Sequence, residues 1–135
     1  MTDAMLYQAA REAMKNAYVP YSGYRVGAAL LSRDGRLLTG CNMEYAACGY
    51  TLCAERTAPV KAVSEGVREF TKIAIAASGS APFPCGACRQ SLYEFAPGLE
   101  VLVTWDAGGE VQERKTTLAA LLPEGFGPIS LGVEV

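Results

Sequence analysis

The sequence predicts an α/β domain, a mixed sheet covered by helices. Three observations carry that expectation. Segments with apolar residues at helical spacing alternate with short apolar runs of strand length. Gly, Pro and Ser interrupt the pattern at the boundaries. No internal repeat, low-complexity tract or linker divides the 135 residues, half of which are apolar, so a single domain over 1–135 is expected, with a core that needs no disulfide staples.

The elements follow in order. Leu6, Ala9, Ala10, Ala13, Met14 and Ala17 share one face of a helix over 3–17, with Thr2 or Asp3 as its N-cap. Pro20, Ser22 and Gly23 then break the helical pattern. Residues 26–31 and 37–41 read as two strands joined by the turn Ser32-Arg33-Asp34-Gly35. Thr51 is placed to cap a helix over 52–64 that Gly66 ends. Pro59 lies inside that helix and lacks an amide hydrogen, so a kink or irregular turn is expected there. Residues 72–77 form a short buried strand, and a second helix over 85–95 is entered through Pro82-Phe83-Pro84. A strand at 101–105 and a weaker one at 111–115 follow. A short helix over 118–122 is capped by Thr116 or Thr117, and the Gly- and Pro-rich tail after Pro123 is expected to be irregular.

Composition narrows the function. A formal net charge of -2 argues against nucleic acid as the main partner, because phosphate binding needs a basic patch. No apolar run is long enough to span a bilayer, which argues against a membrane partner. The N-terminal segment scatters charges where a signal peptide has an apolar centre, so a cytoplasmic location is expected. Five cysteines, an odd count without a secretory signal, speak against a disulfide framework. The absence of histidine removes Ser-His-Asp and Cys-His catalysis and every imidazole zinc site. Acid–base chemistry near neutral pH then falls to a carboxylate, a thiol, a lysine or a metal-bound water.

Cys85-Gly86-Ala87-Cys88 alone fits a redox dithiol, half of a zinc site or two buried thiols equally. Cys53-Ala54-Glu55 discriminates among them. Both segments sit at expected helix N-termini, whose free N–H groups and dipole favour thiolate. Three thiolates converging from two helix starts leave a tetrahedral zinc with one open position, the catalytic pattern. Cys41 and Cys48 lack metal-type spacing, so a closed four-sulfur site is the minority reading. Glu55, in the first helical turn, can point to the open position; without the cysteines it reads as an ordinary helix-start glutamate. Zinc with three thiolates carries a net negative charge, which raises the pKa of a bound water. Arg56 is therefore assigned to offset that charge beside the sulfurs, against the plain alternative of a surface salt bridge, with Arg89 a weaker candidate.

C-A-E-R-T-A at 53–58 and P-C-G-A-C-R-Q at 84–90 resemble the zinc-dependent cytidine deaminase family, with the spacing of its small homotetrameric branch. The likeness extends to Tyr18-Val19-Pro20-Tyr21-Ser22, Val26-Gly27-Ala28-Ala29-Leu30, Gly40-Cys41-Asn42-Met43-Glu44, Leu121-Leu122-Pro123 and Phe126. It implies a three-layer fold with a five-stranded mixed sheet. It also implies one Zn2+ per subunit on Cys53, Cys85 and Cys88, and a proton shuttle at Glu55. By the same resemblance Asn42 and Glu44 bind the ribose 3'-hydroxyl, and Ala54 offers its backbone to the base. Tyr24 stands where the family usually carries a phenylalanine against the pyrimidine. Phe126 closes the ring pocket of a neighbouring subunit. Ordinary core packing is the plainer account of either aromatic.

The implied reaction is hydrolytic deamination of cytidine and 2'-deoxycytidine in pyrimidine salvage, in a homotetramer. Tyr45 and Cys48 depart from the family pattern in the segment near the sugar. Three other readings stand beside this one: a deaminase of a modified cytosine nucleoside such as blasticidin S, a non-catalytic zinc domain closed by Cys41 or Cys48, and a metal-free redox protein.

Overall fold

The computed structural model describes residues 1–134. A five-stranded sheet in the order β2-β1-β3-β4-β5 forms its middle layer. The strands are β1 (Val26–Ser32), β2 (Leu37–Cys41), β3 (Phe70–Ser78), β4 (Glu100–Ala107) and β5 (Glu110–Thr117). All neighbours pair antiparallel except β3 and β4, which run parallel. The hairpin β1–β2 turns at the expected place, and Gly35 takes the φ of 89° that a side chain would resist. A parallel pair needs a crossover, and the helix α3 (Gly86–Tyr93) supplies it.

Helix α1 (Asp3–Met14) covers one face, packing Leu6, Tyr7 and Ala10 on Ala29, Ala74, Ala76 and Leu102. The Thr2 hydroxyl caps it, accepting from Met5 N–H at 3.2 Å. α2 (Ala54–Ser64), α3 and the short α4 (Leu118–Leu121) cover the other face over a larger core that includes Leu30, Ile73, Ile75, Val101 and Val103. The molecule is thus the three-layer mixed α/β architecture that the resemblance implied.

Two glycines set how closely the helices sit. A Cβ on Gly27 would lie 2.2 Å from the Ala10 carbonyl oxygen, so α1 rests directly on β1. A Cβ on Gly40 would lie 2.7 Å from Ala58 N, so α2 rests directly on β2. The second approach fixes the helix whose start carries Cys53 and Glu55.

Several boundaries differ from expectation. α1 ends at Met14, where Lys15, Asn16 and Ala17 tighten into i→i+3 bonds instead of a further helical turn. α2 is capped by Cys53 rather than by Thr51, which sits at the end of a 3-10 turn over Cys48–Tyr50. α2 runs through the buried Pro59 without an irregular turn, because its packing on β2 and β1 holds the helix. Strands β3, β4 and β5 are each longer than expected, and the tail contains a 3-10 turn over Pro128–Leu131.

Candidate active site

Cys53 is the N-cap of α2 and Cys85 the N-cap of α3, and neither side chain is used to cap its own helix. Cys88 lies one turn into α3 and is fully buried. The three Sγ atoms all fall within 4.8 Å of one another, and Cys85 and Cys88 are 3.4 Å apart. Sulfurs around a tetrahedral zinc at ~2.3 Å would be about 3.8 Å apart, so the cluster brackets that geometry. Among the described residues no other Cys, Asp or Glu joins the group, and Cys41 and Cys48 stand outside it.

Electrostatics point the same way. A hydrogen bond from Cys88, with the Arg56 guanidinium beside it, draws the Cys53 thiol down to about 5. That hydrogen bond to Cys53, together with burial, pushes the Cys88 thiol up. Thiols this close hinder one another's ionisation, and a cation among them would favour loss of every proton. An all-sulfur tetrahedral set suits zinc. Arg56 Nη2 donates to Cys53 Sγ at 3.7 Å and to the Thr51 carbonyl at 3.3 Å, while its Nε is buried without a partner. The guanidinium therefore lies against Cys53 Sγ.

Glu55 occupies the first turn of α2 and is only 6 % exposed. Burial pushes its carboxyl up to about 7, and the charge on Cys53 adds to the rise. A carboxyl at that position can both take and give a proton near neutral pH.

Cys53, Cys85 and Glu55 line a cleft of about 320 Å3 together with Tyr24, Asn42, Ala54 and Phe83, among others. Tyr24 donates from its hydroxyl to the Ser80 carbonyl at 2.9 Å, and burial keeps its phenol protonated. The Asn42 side chain spans the cleft wall, accepting from Val26 N–H at 2.9 Å and donating to the Tyr24 carbonyl at 2.8 Å. Glu44 lies outside the lining, and its carboxylate accepts from Tyr21 N–H, Ser22 N–H and the Ser22 hydroxyl. Phe126 also lies outside the lining and is 59 % exposed, its carbonyl accepting from Gln90. Sequence reasoning missed Phe83, whose ring tilts against Trp105 at 6.5 Å between centroids. The signal available for it was its place in Pro82-Phe83-Pro84, directly before a cysteine at a helix start.

A buried carboxyl beside an open three-sulfur cluster, at the ends of a mixed sheet, defines a metal-assisted hydrolytic site. The chain matches the family described as "Cytidine and deoxycytidylate deaminase zinc-binding region" over residues 1–104 and belongs to that family. It is 49% identical to a cytidine deaminase of Sporosarcina psychrophila over 86% of this chain and 85% of that one. It is 46% identical to one of Halalkalibacterium halodurans, over 93% and 95% of the two chains. The crystal structure of cytidine deaminase from Burkholderia pseudomallei superposes with a TM-score of 0.86 at 45% identity, covering 93% of this chain and 100% of that one.

Proposed function

We propose that this chain, as a single domain over 1–135, hydrolyses cytidine and 2'-deoxycytidine to uridine and 2'-deoxyuridine with release of ammonia. The observation that carries the reading is the Glu55 carboxyl, buried in a cleft that Cys53 and Cys85 of the three-sulfur cluster also line. Cys53, Cys85 and Cys88 would hold one Zn2+, whose contribution when bound is to make water acidic enough to react at neutral pH.

The chain's own groups supply the rest. Glu55 takes a proton from the water and delivers it to ring N3, which makes C4 electrophilic. The hydroxide adds to C4, and the carbon becomes tetrahedral. Glu55 then carries the remaining hydroxyl proton to the amino group. The C4–N bond breaks, ammonia leaves, and C4 becomes a carbonyl. One carboxyl serves as base and acid because the steps follow one another. The rings of Tyr24 and Phe83 wall a flat heterocycle within the cleft. The backbone of Ala54 at the start of α2 meets the edge of the base.

Asn42 and Glu44 hold the ribose 3'-hydroxyl in this reading. Each already ties down the 21–26 segment, and a carboxylate retains lone pairs for a further donor. Arg56 offsets the negative charge of the sulfurs. A homotetramer belongs to the same reading, because Phe126, Ile129 and Leu131 form an exposed apolar run that a neighbouring copy would cover. So does a cytoplasmic location, which suits five unpaired cysteines.

The test is ammonia release from cytidine, 2'-deoxycytidine and blasticidin S, with elemental analysis of the same preparation. The proposal expects one zinc per chain and turnover of the two ordinary nucleosides. Turnover of blasticidin S alone would select the modified-nucleoside reading. Full activity without metal would overturn the proposal.

A further inference from the structure

The segment between β3 and α3 forms one wall of the cleft through Ala81, Pro82 and Phe83 and delivers Cys85 to the metal cluster. Its hydrogen bonding is sparse. Gly79 N–H reaches the Asp106 carbonyl at 3.3 Å at one end, and the Pro84 carbonyl accepts from Arg89 Nε at 2.7 Å at the other. Pro82 and Pro84 have no amide hydrogen to offer. Between those ends, among the described residues, the stretch is held by Tyr24 Oη–H donating to the Ser80 carbonyl, 2.9 Å across the mouth of the cleft.

Tyr24 is itself held firmly. Its N–H donates to the Ser22 hydroxyl at 3.0 Å, and its carbonyl accepts from Asn42 Nδ2 at 2.8 Å. Ser22 is in turn bound by Glu44. A chain of bonds thus runs from Glu44 through Ser22 and Tyr24 to Ser80, joining the two walls of the cleft. A phenylalanine at 24 would keep the ring wall and lose the connection.

We propose that the Tyr24 hydroxyl is a positioning group that fixes the 79–84 segment over the bound base. The proposal rests on the cytosine-nucleoside reading of this cleft, which it deepens. With the latch closed, Ala81 and Phe83 stand ready for the ring before substrate arrives, so part of the ordering cost of binding is met in the free protein. The latch does not touch the reacting atoms. Its loss therefore weakens binding of substrate and transition state alike, which raises KM and spares kcat.

Tyr24→Phe provides the test, in the zinc-loaded protein, by steady-state kinetics on cytidine and amide hydrogen exchange of the 79–84 segment. One neutral hydrogen bond corresponds to a change of roughly 2- to 10-fold. The expected result is a KM raised by about that factor, kcat within about 2-fold of wild type, and faster exchange in the free protein at Gly79, whose N–H is bonded to the Asp106 carbonyl. Unchanged KM with unchanged exchange at Gly79 would overturn the proposal. So would a fall in kcat at constant KM, which would put the hydroxyl in the chemistry. The exchange measurement needs no substrate, so it judges the latch even if wild type fails to deaminate cytidine, an outcome that counts against the functional reading alone.

Discussion

Gly40→Ala is a small change in β2 that reaches the chemistry through α2. The added Cβ would lie 2.7 Å from Ala58 N and 2.9 Å from the Thr57 Cβ, whereas ordinary contact begins at 3.4 Å. Both neighbours belong to the helix, one of them its backbone, so no flexible side chain can absorb the overlap. α2 must retreat by about 0.7 Å, the gap between 2.7 and 3.4 Å. Overpacking of this kind costs about 1–3 kcal/mol. In a domain of this size that lowers Tm by roughly 3–15 °C. The same retreat moves Cys53 and Glu55, and a displacement approaching ~1 Å costs up to about 100-fold in rate. Turnover of cytidine per bound zinc is therefore expected to fall by about 10- to 100-fold.

Two controls separate the effects. Gly98→Ala adds a Cβ with nothing within 4 Å and is expected to melt and turn over like wild type. Gly27→Ala drives a Cβ to 2.2 Å from the Ala10 carbonyl on the opposite face, so it is expected to lose stability while its folded fraction keeps its turnover per zinc. A Gly40→Ala protein with wild-type melting and wild-type turnover would refute the claim that this contact sets the position of α2.

Three further outcomes are expected. Arg56→Gln removes the donor at 3.7 Å from Cys53 Sγ, and zinc affinity by chelator competition, or turnover, should fall about 10- to 100-fold. Cys88→Ser leaves two sulfurs of the cluster, so zinc content should fall well below one per chain; chelator treatment of wild type should lower its melting temperature, with recovery on adding zinc. Asp3 bonds Lys72 and Lys115, each at 2.9 Å, and these partners hold its carboxyl below the usual value of 3.8. Its stabilisation is complete above the unfolded value and is lost as pH falls through the lowered folded one. Asp3→Asn should therefore melt below wild type at pH 7, with the difference closing below about pH 4, as scanning calorimetry across pH would show.

The sequence made the metal site legible because its information is local. Cys53-Ala54-Glu55 and Cys85-Gly86-Ala87-Cys88 each lie at a helix start, while the packing of α2 on β2 and α3 brings their side chains together. The mixed sheet and its covering helices were legible through alternation and through the family resemblance, whereas the strand order β2-β1-β3-β4-β5 was not. The remaining differences are long-range. Pro59 looked disruptive because propensity describes an isolated helix, whereas α2 is held by burial of Ala54, Ala58 and Ala62. The weak reading of β5 reflects its charged sequence, which suits an edge strand that pairs only with β4. The engagement of Glu44 with Tyr21 and Ser22 could not be read from spacing, since the partners lie more than twenty residues away. Phe83 was hidden for a similar reason: its role depends on Trp105, a residue of another strand.

The most direct test of the account replaces the buried carboxyl and leaves the sulfurs in place. Glu55→Gln keeps the size and burial of the side chain but removes its ability to exchange a proton. Zinc content and cytidine turnover should be measured on the same samples of variant and wild type. One zinc per chain is expected in both proteins, with loss of nearly all turnover in the variant. Near-normal turnover by a zinc-loaded Glu55→Gln protein would contradict it.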